Sequence, residues 1–229
     1  MREVVLDTET TGLSFLNGDR IIEIGCVEII DKRITGEVFH VLINPEREVS
    51  EEAFKITGLS YDFLKKFKTF GDSCGEFLEF IGNSRLVIHN APFDIGFLNY
   101  ELSQINVREL DPYNVVDTLD IAKEKYPGFS STLDALCRRF SIDLAERVKH
   151  GALLDAQLLA RVYLHMSVEL LQKSIFESSN KSKEDYDDHI GAPLPKFELR
   201  EFFPSEEEAE LHEAFLEKLS NPIWKKLRA

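Results

Sequence analysis

Three strand-like runs crowd into the first 45 residues, and this order restricts the possible folds more than any other feature. Val4–Glu9 is short and apolar on one side, and Arg20–Ile30 is rich in β-branched residues. Glu37–Asn44 alternates and stops at Pro45. The links Gly12–Gly18 and Asp31–Gly36 are short and turn-like, which favours antiparallel hairpins. After Pro45 the spacing becomes helical. Ser50 with Glu51 and Glu52 opens a helix that Gly58 closes, and Phe70, Phe77, Phe80 and Ile81 mark one face of a helix over Phe70–Ile81. Arg85–His89 then reads as a strand, Phe93–Gln104 as a helix and Val115–Asp117 as a strand. Helices follow near Leu119–Lys125 and Leu133–Phe140, and one long helix covers Gly151–Leu171. Three strands in a row and then alternation predict an α/β fold. Its mixed five-stranded sheet has three antiparallel strands, then parallel ones, with helices on its faces.

The pattern breaks after residue 176. Between Glu177 and His189 the only large apolar residue is Tyr186, too little buried surface to offset chain entropy, so a flexible linker is expected over 177–193. Apolar content returns in 194–229 with Phe197, Leu199, Phe202 and Phe203. A helix follows, opened by a capping box of Ser205 and Glu208 and striped by Leu211, Phe215, Leu216 and Leu219. A segment of that size is too small for a core of its own. It either folds back on the main domain, taken as 1–176, or orders on a partner protein, and the linker favours the partner.

Composition narrows the setting. No run approaches the ~18 consecutive apolar residues of a membrane span, and the start of the chain leads directly into Val4-Val5-Leu6, so no secretory leader is expected. Cys26, Cys74 and Cys137 are far apart and odd in number, which fits reduced, buried thiols in a cytoplasmic protein. Net charge is −14. A protein that held nucleic acid by phosphate neutralisation alone would be basic. Either nucleic acid is not its substrate, or it is met locally, through metal ions or a partner.

Three clusters carry chemistry. Asp7 and Glu9 sit two apart on a strand, so both side chains leave one face of the sheet. Two crowded carboxylates repel, and a divalent cation relieves that; oxygen ligands suit Mg²⁺ or Mn²⁺. By itself the spacing describes a pair of solvated acids at a strand end at least as well. The second cluster is His89-Asn90-Ala91-Pro92-Phe93-Asp94, between a strand and a helix, where Asp94 is also a good helix-start acid. The third is His150 with Asp155, at the head of the long helix. A loop histidine there is a candidate general base, or a loop residue with no role.

Taken together, Asp-Thr-Glu, His-Asn-Ala-x-Phe-Asp and His-x₄-Asp, in this order and on these elements, resemble the DEDDh exonucleases. The resemblance spans residues 1 to about 171 and includes the first motif, Asp7-Thr-Glu-Thr-Thr-Gly-Leu13. It implies an RNase H-like fold and a two-metal site of Asp7, Glu9, Asp94 and Asp155 holding Mg²⁺ or Mn²⁺, with His150 as general base. It also implies 3′→5′ hydrolysis of phosphodiesters that releases nucleoside monophosphates. Thr8, Leu13, His89, Asn90 and Phe93 are the candidates for contacts to the terminal nucleotides, with Leu13 and Phe93 offering apolar surface to unpaired bases.

Within that family the chain is similar to the proofreading exonucleases of bacterial replicative DNA polymerases. The phrase from Val87 to Leu98, the run Leu159-Ala160-Arg161-Val162-Tyr163-Leu164, and the linker with helical tail carry this likeness, as do His212, Phe215, Leu216 and Trp224 in the tail. The likeness implies that residues 194–229 bind the polymerase subunit, with a single-stranded or frayed DNA 3′ end as substrate. One departure is Thr57-Gly58, where that branch often has His-Gly; the position is a substrate contact, not a metal ligand. Gln172-Lys173-Ser174-Ile175-Phe176 is similar to the short peptides that bind the bacterial sliding clamp, although Ile175 and Phe176 also suit helix-end packing. An exoribonuclease that trims RNA ends remains an alternative, opposed by residues 177–229. A catalytically inactive adaptor is a second, opposed by the complete set of four acids and one histidine.

Overall fold

Alternation along the first strand assigns the two faces of the sheet. In β1 (Arg2–Thr10), Val4 and Leu6 point into one core and Val5 into the other. Period two puts Asp7 and Glu9 on the side of Val5. The computed structural model describes residues 1–145, 150–167 and 205–218. β2 (Ile21–Ile30) and β3 (Arg33–Leu42) complete an antiparallel meander, and β4 (Arg85–Ile88) and β5 (Val115–Asp117) add parallel strands, giving the order β3-β2-β1-β4-β5. This is the mixed five-stranded sheet the pattern predicts.

The helices are α1 (Glu51–Thr57), α2 (Tyr61–Leu64), α3 (Phe70–Ile81), α4 (Ala91–Gln104), α5 (Thr118–Lys125), α6 (Leu133–Arg139) and α7, described over 152–167. On one face, Val4, Leu6, Ile24 and Cys26 pack with Phe70, Phe77 and Ile81 of α3 and Phe97, Leu98 and Leu102 of α4. On the other, Val5, Val27, Val87 and Val116 meet Leu133 and Leu136 of α6 and Ala156, Leu159 and Val162 of α7. Cys26, Cys74 and Cys137 are all buried. No helix among the described residues is long and apolar enough to cross a membrane.

Several boundaries differ from the expected ones, for local reasons. The β2–β3 turn is Asp31-Lys32, both in left-handed conformation (φ 47° and 61°), rather than Asp31–Gly36. Two left-handed residues match the strand twist, but without glycine at either position the tight turn leaves little sequence signal. Gly36 instead falls where the ladder register shifts, opposite Val27 to Ile29. α4 begins at Ala91, two residues before the expected start, because a helix tolerates Pro92 in its first turn, where no N–H partner is required. The short α2, capped by Ser60, falls in a stretch with no expected element.

The chain divides into two units, Met1–Lys181 and Ser182–Ala229. In the second, α8 (Glu206–Glu217) starts on the expected capping box: Ser205 accepts from the Glu208 amide, and the Glu208 carboxylate accepts from that of Ser205. The linker at 177–193, the segment Gln172–Phe176, Leu219 and Trp224 lie outside the described residues.

Candidate active site

The carboxyl ends of three parallel strands, β1, β4 and β5, lie side by side, where an open sheet leaves a crevice. β1 contributes Asp7 and Glu9. Opposite Asp7 in the ladder stands Gly25 of β2. A Cβ there would lie 2.2 Å from the Leu153 nitrogen and 2.3 Å from the Ala152 carbonyl carbon. The absent side chain, with Ala152, Ala156 and Ala160 all fully buried, lets the head of α7 lie directly on the sheet. That contact delivers Asp155, 4% exposed, toward the β1 acids.

Ligand atoms of Glu9, His150 and Asp155 all lie within 4.8 Å of one another. His150 Nδ1 is 3.1 Å from Asp155 Oδ2, and its backbone N–H donates to the Ile56 carbonyl at the end of α1 (3.2 Å). Asp7, His89, Asn90, His150 and Asp155 share an open cleft of about 560 Å³ with Leu119, Thr132, Leu133 and Asp134. Two carboxylates and an imidazole this close, with Asp7 on the same cleft, form a donor set that suits a hard divalent cation.

Asp94 approaches from the other face. Its Oδ1 accepts from the Thr8 amide (2.9 Å) and hydroxyl (2.6 Å), so it is bonded to the residue between Asp7 and Glu9. It is 3% exposed and is not one of the three residues whose ligand atoms converge. Burial pushes its carboxyl up to about 7; the Thr8 hydrogen bonds oppose that shift, and the Asp117 charge adds to it. The Thr8 hydroxyl is thus committed to Asp94.

The remaining candidates flank this centre. His89 is half-buried with Nδ1 2.9 Å from Thr118 Oγ1, and desolvation pulls its pKa down, which keeps it neutral near pH 7. Asn90 adopts φ 69°, ψ 53°, an unusual conformation that turns the chain from β4 into α4. Leu13 is 86% exposed on the loop after β1, and Phe93 is half-buried with its ring 5.0 Å from that of Phe97.

Sequence reasoning missed Asp117. At the end of β5 its carboxylate accepts from the amides of Asn90 (3.0 Å), Ala91 (3.0 Å) and Leu119 (2.9 Å). It therefore fixes the turn that carries His89 and Asn90. Its only local signature is that of a helix cap, which it also is. Glu23 was missed as well: it is buried, pairs across from Glu9, and sits 2.7 Å from His40 Nε2.

The profile of the exonuclease family (RNase_T) matches residues 4–163. The DNA polymerase III subunit epsilon of Rickettsia felis is 44% identical over 94% of this chain and 96% of its own length. The Escherichia coli K12 subunit of the same name is 41% identical over 94% and 92%. The chain therefore belongs to the exonuclease family and, within it, to the family of DNA polymerase III epsilon subunits. Among solved structures, the nuclease domain of 3′hExo, a DEDDh family member bound to rAMP, matches at TM-score 0.63 and 18% identity, covering 73% of this chain and 92% of that one. Exonuclease X in complex with 5′ overhanging duplex DNA matches at TM-score 0.56 and 23% identity, covering 72% and 90%. Both share the fold.

Proposed function

We propose that this chain is the proofreading 3′→5′ exonuclease of a bacterial replicative DNA polymerase, removing nucleoside monophosphates from a frayed DNA 3′ end in the cytoplasm. The observation that carries the reading is the convergence of Glu9, His150 and Asp155 within 4.8 Å, in a cleft that also holds Asp7.

Asp7, Glu9, Asp94 and Asp155 would hold two divalent cations, Mg²⁺ or Mn²⁺. The chemistry such ions would supply there is neutralisation of phosphate charge, a more acidic water and stabilisation of the departing 3′ oxygen. His150 accepts the proton of the attacking water. Its side chain is 48% exposed, so the proton can pass on to solvent. Neutral His89 offers a hydrogen bond at the cleft without adding charge. Asn90, Leu13 and Phe93 border the terminal nucleotides, while Thr8 holds Asp94 from behind. Water attacks phosphorus, the bond to the 3′ oxygen of the preceding nucleotide breaks, and a nucleoside 5′-monophosphate leaves.

Residues 1–176 form the nuclease, 177–193 the linker and 194–229 the polymerase-binding segment. Within the last, Leu211 and Phe215 of α8 are 65% and 58% exposed, an apolar stripe for that partner. Gln172, Ser174, Ile175 and Phe176 are a candidate sliding-clamp contact. Degradation rates on 5′-labelled single-stranded DNA and on RNA of the same sequence test the substrate class, and faster RNA cleavage refutes it. Co-purification with a replicative polymerase subunit, with and without residues 190–229, tests the tail; capture by the truncated chain overturns that assignment.

A further inference from the structure

We propose that Glu23 is a positioning residue for a divalent cation beside Glu9: an outer carboxylate, oriented by His40, that strengthens cation binding without being a direct ligand. The proposal rests on the metal-dependent reading above. Glu23 stands directly opposite Glu9 in the β1–β2 ladder, so both side chains leave the same face of the sheet. On that face Gly25 pairs with Asp7 on one side and with His40 of β3 on the other. His40 is thus the neighbour from which an imidazole can reach across the glycine to Glu23.

Its partners set Glu23 apart from the other buried glutamates among the described residues, Glu3, Glu28 and Glu101. Each of those three is held by a lysine or arginine. Glu3 lies 2.7 Å from Lys32 Nζ, Glu28 pairs with Arg2, and Glu101 accepts two bonds from the Arg20 guanidinium (2.7 and 2.6 Å). Glu23, with its side chain 9% exposed, has an imidazole instead: His40 Nε2 lies 2.7 Å from its Oε1. Like charges directly opposite one another in a sheet are destabilising, and a buried charge is costly unless it is paired. Glu23 meets both penalties, and a divalent cation beside Glu9 relieves both.

Glu23 stands behind the ligand atoms rather than among them. The group that converges within 4.8 Å is Glu9, His150 and Asp155, without Glu23. Its two oxygens lie 3.8 and 3.9 Å from the place a Cβ would take on Gly151, the residue between His150 and α7. The carboxylate therefore borders both Glu9 and the head of α7, where the helix dipole also favours negative charge. From an outer position a carboxylate accepts hydrogen bonds from an ion's waters and adds to the attraction for the ion. Outer partners of this kind matter to affinity nearly as much as the ligands.

The test titrates Mn²⁺ into the full chain, under conditions where every variant compared is folded, and follows the free ion by its EPR signal. No turnover is needed. Glu23→Gln keeps the shape and an acceptor for His40 but removes the charge, and it weakens Mn²⁺ binding about 10–100-fold. His40→Ala weakens binding less, and His40→Gln, which keeps a donor near the place of Nε2, restores it. Adding His40→Ala to Glu23→Gln weakens binding no further, because His40 acts through Glu23. A glutamate with a merely structural role changes urea unfolding in EDTA and leaves Mn²⁺ affinity alone. Unchanged affinity in Glu23→Gln, or an additive loss in the double variant, overturns the proposal. Should Glu23→Gln fail to fold, His40→Ala carries the test, and unchanged affinity there overturns it equally. A wild-type chain that binds no Mn²⁺ would instead sink the metal-dependent reading, and the proposal with it.

Discussion

Replacing Asp94 with Asn removes a buried charge at a position the proposed chemistry requires, so stability and activity move in opposite directions. The Asp94 carboxyl is raised from 3.8 to about 7, chiefly by burial. An unfolded chain ionises near 4, so the folded state pays to keep this group protonated, or to ionise it, as pH rises. The cost is absent below about pH 4, grows to pH 7 and is constant above. At 1.36 kcal/mol per unit it reaches at most about 2 kcal/mol at pH 5 and about 4 kcal/mol at pH 8. Asn keeps an oxygen for the Thr8 amide and hydroxyl but brings a buried NH₂, a penalty that does not vary with pH. The slope is therefore the informative quantity. In urea unfolding with EDTA, Asp94→Asn gains about 2–3 kcal/mol on wild type between pH 5 and pH 8, and it loses nuclease activity. Saturating Mg²⁺ flattens the wild-type slope. A gap between the two proteins that is the same at pH 5 and pH 8 refutes the reasoning.

His150→Gln lowers kcat by about 10²–10⁴-fold with KM little changed, as loss of a proton acceptor requires; single-turnover cleavage of labelled DNA measures it. Gly25→Ala forces a methyl into the backbone of Ala152 and Leu153, which costs about 1–3 kcal/mol in denaturant unfolding. It also reduces kcat because Asp155 and His150 shift with α7. Asp117→Ala leaves the Asn90 and Ala91 amides without their acceptor, costs about 1–3 kcal/mol and raises KM by moving His89. Asp117→Asn recovers part of both, since one oxygen still accepts.

What could be read from the sequence was whatever repeats or caps locally. Val4–Glu9 displays its alternation, Ser50 and Ser205 announce their helices, and Asp7 with Glu9 share a face by strand period alone. What could not be read depends on residues far apart. The Asp31-Lys32 turn lacks the glycine that usually flags two left-handed residues. Asp117 looks like an ordinary cap because its ties to Asn90 and Ala91 cross 27 and 26 positions. The link from Thr8 to Asp94 spans 86 positions, so nothing near either residue predicts that the acid is buried and bonded to the residue between Asp7 and Glu9. Gly25 is legible only once α7 is known to lie on it.

The acids on β1 are the point on which the account stands. A 5′-labelled primer with a mispaired 3′ terminus, incubated with the full chain and Mg²⁺, should shorten one nucleotide at a time and release nucleoside monophosphates. EDTA should stop it, and Asp7→Ala, with its unfolding curve intact, should abolish it. Cleavage that persists in a clean preparation of that variant, or that needs no divalent cation, contradicts the assignment of Asp7 and Glu9 to a metal-dependent exonuclease centre.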